Sequence, residues 1–74
     1  MEKLSSIRSG LPYLIKQVEE NELKNRLYDL GIYPNQTLQL VKRAPLGDPI
    51  VVDVEGQLVI LRQSEAELIT IQEK

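Results

Sequence analysis

Along most of this chain apolar and polar residues alternate in short runs, while in one stretch the apolar residues recur every three or four positions. Alternation places successive side chains on opposite faces of a strand; a period near 3.6 places them on one face of a helix. The alternation predicts a strand at 37–42, with Leu38 and Leu40 on one face. It predicts a second at 50–54, where Ile50, Val52 and Val54 share a face, and a third at 57–61, where Leu58 and Ile60 oppose Val59 and Leu61. The short run 68–71 predicts a closing strand, with 72–74 frayed beyond it. Residues 13–18 are apolar without clean alternation, because Tyr13, Leu14 and Ile15 are consecutive. They read as a strand that is either buried on both faces or bulged ahead of Val18.

The helical period falls at 22–30, where Leu23, Leu27 and Leu30 form one stripe. Asn21 is placed to cap its start, with Glu19, Glu20 and Glu22 at the positive end of the helix dipole. Glu22 and Arg26 stand four apart in the favoured order for an ion pair. Gly31 supplies the left-handed residue after the helix, Ile32 is placed to pack back on Leu27, and Pro34 prevents continuation. Tyr33-Pro34-Asn35-Gln36 reads as a type II turn, with Asn35 at the position that needs positive φ. Glu55-Gly56 reads as a two-residue hairpin loop. Single helical turns are predicted near Leu4, with Ser5 as cap, and within 62–67, with Ser64 as cap. Five short strands, one inserted helix and no long loop predict one mainly β domain over residues 1–74, rolled into a small barrel. Closure removes the strand edges that so small a domain has little else to cover.

Between the second and third strands lies Arg43-Ala44-Pro45-Leu46-Gly47-Asp48-Pro49, richer in rigid and turn-forming residues than a plain hairpin needs. Pro45 and Pro49 fix φ and withhold two backbone donors, Gly47 permits positive φ, and Asp48 is suited to close a turn with its side chain. The plain reading is a stiff loop whose Leu46 folds back on the core. The alternative is a preformed recognition loop that offers Leu46 to a partner.

Composition removes most other functions. Among 74 residues there is no cysteine and no histidine, so neither a structural zinc site nor a nucleophilic triad is expected. The serines at 5, 6, 9 and 64 stand in turn or cap contexts, and the four glycines form no phosphate cradle. An enzyme reading has no residue to rest on, and no cofactor is expected. The acidic runs at 19–22 and 65–67 read as solvated faces rather than metal sites. A net charge of -2 argues against nucleic-acid binding. The basic pair Lys42-Arg43, with Arg62, is too small for a nucleic-acid footprint and suits pairing with an acidic partner or with a carboxylate of the chain itself. Tyr33 is open to two readings, core packing or an exposed contact. No apolar run reaches membrane-spanning length and no signal peptide is recognised, so a soluble cytoplasmic protein without membrane insertion is expected. Self-association is left open; Val51, Val59 and Leu61 form an apolar patch if they face outward.

Arg26-Leu27, Leu30-Gly31-Ile32 and Pro34, then Val41 through Ile50 with its Ala-Pro-Leu-Gly-Asp-Pro run, then Leu61-Arg62 and Glu65-Ala66, together resemble the FeoA family of small bacterial ferrous iron transport proteins. The resemblance covers Leu4 to Ile71. It implies an SH3-like barrel in which Ile15 and Val18 both point inward across a bend. One departure is Asn35, where the family usually has glycine; asparagine tolerates the φ required there. The resemblance further implies an accessory role in ferrous iron uptake beside the membrane transporter FeoB, at its cytoplasmic GTP-binding region. That places the protein at the inner membrane only through the transporter. Without histidine or cysteine the chain is a poor iron carrier, so docking rather than ligation is expected. The expected partner-binding surface is Arg43, Ala44, Pro45, Leu46, Gly47, Asp48 and Pro49, with Tyr33 nearby. Arg43 or Arg62 is a candidate to complete the transporter's GTPase site. The alternative is an SH3-like interaction module acting on an iron-dependent transcriptional repressor or another complex.

Overall fold

Valine and isoleucine at alternating positions make β4 (Ile50–Val54) a strand with one inward face, and the rest of the sheet is arranged around it. The computed structural model describes residues 1–74. Its six strands form one antiparallel sheet in the order β1-β6-β2-β3-β4-β5. They are β1 (Glu2–Lys3), β2 (Tyr13–Val18), β3 (Thr37–Arg43), β4, β5 (Gln57–Leu61) and β6 (Ile69–Glu73). Helix α1 (Lys24–Asp29) is inserted between β2 and β3, and the single turn α2 (Gln63–Ala66) joins β5 to β6. The mainly β expectation holds, with six strands in place of five. β1 is only two residues long and has no periodicity to reveal it; it exists because Glu2 and Lys3 pair with Ile71 and Thr70. The expected frayed end is also paired: Gln72 and Glu73 lie opposite Leu14 and Tyr13.

Two bulges shape the sheet. The register of β2 against β6 shifts between Ile15 and Gln17, so Ile15 and Val18 are both buried. A second shift, between Leu40 and Lys42 in β3, accompanies an exposed Val41. The core has 16 buried apolar residues, nearly all aliphatic. The outward patch expected from Val51, Val59 and Leu61 is not there. Val52 pairs with Val59 and Ile50 with Leu61, which carries Val59 and Leu61 to the inner face and leaves Leu58 and Ile60 exposed.

Helix α1 starts two residues later than its apolar period predicts. The Asn21 side chain accepts from the Leu23 N–H at 3.0 Å, and the Asn21 carbonyl accepts from the Lys24 N–H, forming a turn ahead of the helix. Leu27 is fully buried, with Leu30 packed on the core beside it. At the other end the Ile32 N–H donates to the Leu27 carbonyl and the Gly31 N–H to the Tyr28 carbonyl, both at 3.0 Å, which is the Schellman ending. Gly31 has φ of +94°. A Cβ there meets only the Gln57 Oε1 at an ordinary 3.7 Å, so Gly31→Ala is disfavoured by backbone conformation and not by crowding. It is expected to cost about 1 kcal/mol, which lowers Tm by about 4–8 °C in a domain of this size. Thermal unfolding checks this.

Asn35 has φ of 74°, as the turn after Pro34 requires, and Glu55 and Gly56 have φ of 53° and 91°, the two left-handed positions of a type I′ hairpin turn. Neither single helical turn uses its expected serine cap. The 3-10 turn Leu4–Ser6 has no side-chain cap, and α2 is started from Arg62 by Glu65. No helix is long and apolar enough to cross a membrane.

Candidate functional site

The loop from Arg43 to Pro49 closes the β3–β4 hairpin at the pair Arg43–Ile50, and local chemistry fixes its shape. Pro45 takes the second position of a turn in which the Gly47 N–H donates to the Ala44 carbonyl at 2.7 Å. Leu46 therefore stands third, at the tip. Gly47 follows with φ of +88°, and the Asp48–Pro49 peptide is cis. The Ala44 N–H donates to the Pro49 carbonyl at 3.1 Å and shuts the base of the loop. At the base of the loop, the Arg43 guanidinium donates to the Gly47 carbonyl at 3.2 Å and, outside the loop, to the Ile7 carbonyl at 2.6 Å. Asp48 does not close a turn on its own segment. Its Oδ1 accepts from the Gln63 N–H at 3.0 Å, tying the loop to the start of α2.

Leu46 is 96% exposed, so the plain reading, in which it folds back on the core, is overturned. The reason is the geometry of the turn: tethers at Arg43, Ala44, Gly47 and Asp48 hold the loop's polar groups and point its third residue away from the barrel. Arg43 in turn is spent on bracing. Two of its nitrogens bond carbonyls and its Nε is buried without a partner, which removes it as a free arginine for a partner's phosphate chemistry.

Tyr33 is not brought to this loop. It precedes β3 and the loop follows β3, whose seven residues span about 20 Å. Tyr33 is half-exposed and stacks on Tyr28, ring centroids 5.2 Å apart.

Two grooves flank the loop, and Asp48 borders both. Beneath one lies Glu65, whose burial sequence reasoning missed. The run 65–67 reads as solvated, yet Glu65 is 3% exposed. Its Oε1 accepts from the Arg62 N–H at 2.9 Å and its Oε2 from Arg26 Nε at 2.6 Å. Burial by itself pushes the Glu65 carboxyl up, but the Arg62 N–H and the Arg26 guanidinium hold it below its usual value. The only signal in the sequence was the position of Glu65, three residues after the helix-starting Arg62. Arg26 is thereby taken from the expected pair with Glu22, and Lys24 pairs with Glu20 instead. The site holds a projecting apolar tip, a braced base and arginines in the flanking grooves.

The model of the FeoA domain matches residues 2–73. The FeoA protein of Chlorobium tepidum is 37% identical, with a TM-score of 0.86 over 97% of this chain and 70% of that one. The iron(II) transport protein A of Clostridium thermocellum is 38% identical, with a TM-score of 0.90 over 97% of this chain and 45% of that one, so this chain spans less than half of that protein. The FeoA of Stenotrophomonas maltophilia, solved with zinc and described as a prokaryotic SH3 domain protein, is 23% identical; its TM-score of 0.82 covers 97% and 91% of the two chains.

Proposed function

The chain belongs to the FeoA domain family, and on that premise we propose that it is an accessory protein of bacterial ferrous iron uptake. It acts by docking on a FeoB-type transporter at the cytoplasmic GTP-binding region and modulating it. The observation that carries this reading is Leu46, a large apolar side chain 96% exposed on a loop whose backbone is tethered at both ends and from α2. Exposing a leucine at the tip of a rigid loop does nothing for folding. It serves association, because a preformed loop loses little conformational freedom when it binds. The docking surface is Arg43 to Pro49, with Tyr33 outside it.

Docking also fits the chemistry better than carriage of iron. With no histidine or cysteine, the chain lacks the imidazole and thiolate ligands that commonly hold Fe(II). The cytoplasmic face of the inner membrane is the compartment that this partner implies, with attachment through the transporter.

The test is a titration of the protein against the full-length FeoB-type transporter of the same organism in nanodiscs, with a GTP analogue, with GDP and without nucleotide. Saturable binding that differs between nucleotide states is the expected result. Absence of binding in every state overturns the docking reading.

A further inference from the structure

All four arginines of this chain line the two grooves beside the 43–49 loop, although they stand at positions 8, 26, 43 and 62. No lysine lines either groove. Two of the arginines are committed at home, Arg43 to the carbonyls of Ile7 and Gly47 and Arg26 to Glu65. The guanidinium groups of the other two make no hydrogen bond or ion pair within the chain. Arg8 and Arg62 are exposed and neither forms an ion pair, although the Arg62 charge lies near enough to Glu65 to help hold its carboxyl down. Of the acids bordering the grooves, Asp48 is engaged by the Gln63 N–H and Glu65 is buried with Arg26. The loop is therefore a cationic pole on a protein whose net charge is -2.

We infer that the partner presents an apolar pocket rimmed by carboxylates: Leu46 enters the pocket while Arg8 and Arg62, one from each groove, engage the acidic rim. This rests on the docking reading and adds the chemistry of the surface that receives the loop. The planar guanidinium matches a carboxylate in bidentate fashion, which a lysine ammonium does not. A phosphate polymer also takes arginine, but it offers no apolar receptor for Leu46, which lines the groove that holds Arg8 and tips the loop whose Asp48 and Pro49 border the groove that holds Arg62. Charge at the rim sets the rate and the specificity of encounter, and the buried apolar anchor sets the lifetime of the complex.

The experiment measures affinity for the full-length transporter in nanodiscs of zwitterionic lipid, so that no anionic headgroup contributes. Arg8→Glu and Arg62→Glu each exchange an attraction for a repulsion. Each is expected to weaken binding about ten-fold, and the pair about 100-fold. Raising NaCl from about 0.1 M to about 1 M, which shortens the screening length from about 10 Å to about 3 Å, is expected to weaken wild-type binding by a similar factor of about ten. Lys16→Glu reverses an exposed cation on β2 that lines neither groove and is expected to change affinity less than about two-fold. Thermal unfolding of each variant verifies that the fold is intact.

If Leu46→Asp abolishes binding while both arginine reversals and salt leave it unchanged, the acidic rim is overturned and the docking reading stands. If the wild type binds in no nucleotide state, both fall. If the wild type retains a short oligonucleotide more tightly than the transporter, with the same dependence on Arg8 and Arg62, the arginines belong to phosphate and the inference is overturned.

Discussion

Leu46→Asp is expected to weaken binding to the transporter by about 100-fold or more while leaving Tm within about 3 °C of wild type. The two effects separate because of where the side chain stands. At 96% exposure Leu46 contributes no apolar burial to the folded domain, and substitutions at such surface positions usually stay within about 0.5 kcal/mol. An aspartate fits the third position of the turn, and the Gly47 N–H still finds the Ala44 carbonyl. In the complex the same residue is the apolar anchor. Replacing it with a carboxylate removes its burial and sets a negative charge against the acidic rim inferred for the partner. Titration and thermal unfolding on the same samples check both halves. Retained affinity moves the docking surface away from the loop, and a large fall in Tm makes Leu46 part of the fold.

Glu65→Ala carries the largest expected loss of stability among the polar positions, about 2–4 kcal/mol. Glu65 satisfies the Arg62 N–H at the start of α2 and anchors Arg26, and it does so from a buried position. The lost cap accounts for about 1 kcal/mol. The charged hydrogen bond to Arg26 adds to that. Its contribution sits at the lower end of the range for such bonds, because the Arg26 side chain is 58% exposed and water screens it. Against a total stability of about 4–11 kcal/mol for a chain of this length, the loss is severe. Urea unfolding measures it.

The pH dependence follows from the same contacts. The Glu65 carboxyl is held below its usual value of 4.5, so the folded state favours the carboxylate more than the unfolded chain does. That stabilisation is fully present above 4.5 and is lost as the pH falls from there through the lower native value. The stability gap between wild type and Glu65→Gln is therefore expected to be constant near neutrality and to narrow below about pH 4.5. A gap that persists unchanged at about pH 3 assigns the effect to shape and not to charge.

What could be read in advance was local. The Schellman ending at Gly31–Ile32, the left-handed Asn35 and the Glu55-Gly56 hairpin each depend on the φ of one or two residues, and the residue type alone reports that φ. The inward face of β4 depends on alternation over five residues, which is equally local. The rigid character of the 43–49 loop was legible for the same reason. The direction in which Leu46 points was not, because it is set by tethers from Arg43, Ile7 and Gln63.

Glu65 and the arginines mark the boundary most sharply. A glutamate in a polar run looks solvated, and only the approach of Arg26, 39 residues away, makes a buried carboxylate tolerable. Arg8 and Arg62 look like scattered surface charges until the sheet brings their segments to either side of one loop. Tyr33 and the loop are close in sequence to the two ends of β3, yet that strand holds them apart. The sequence by itself determined five of the six strands, the helix ending, the turns and the family, since these rest on backbone preferences and short-range pattern; β1 and the end of β6 came only from pairing. The tertiary structure alone decided which cations are unpaired, which acid is buried and which leucine is offered. Those properties belong to neighbours that only folding brings together.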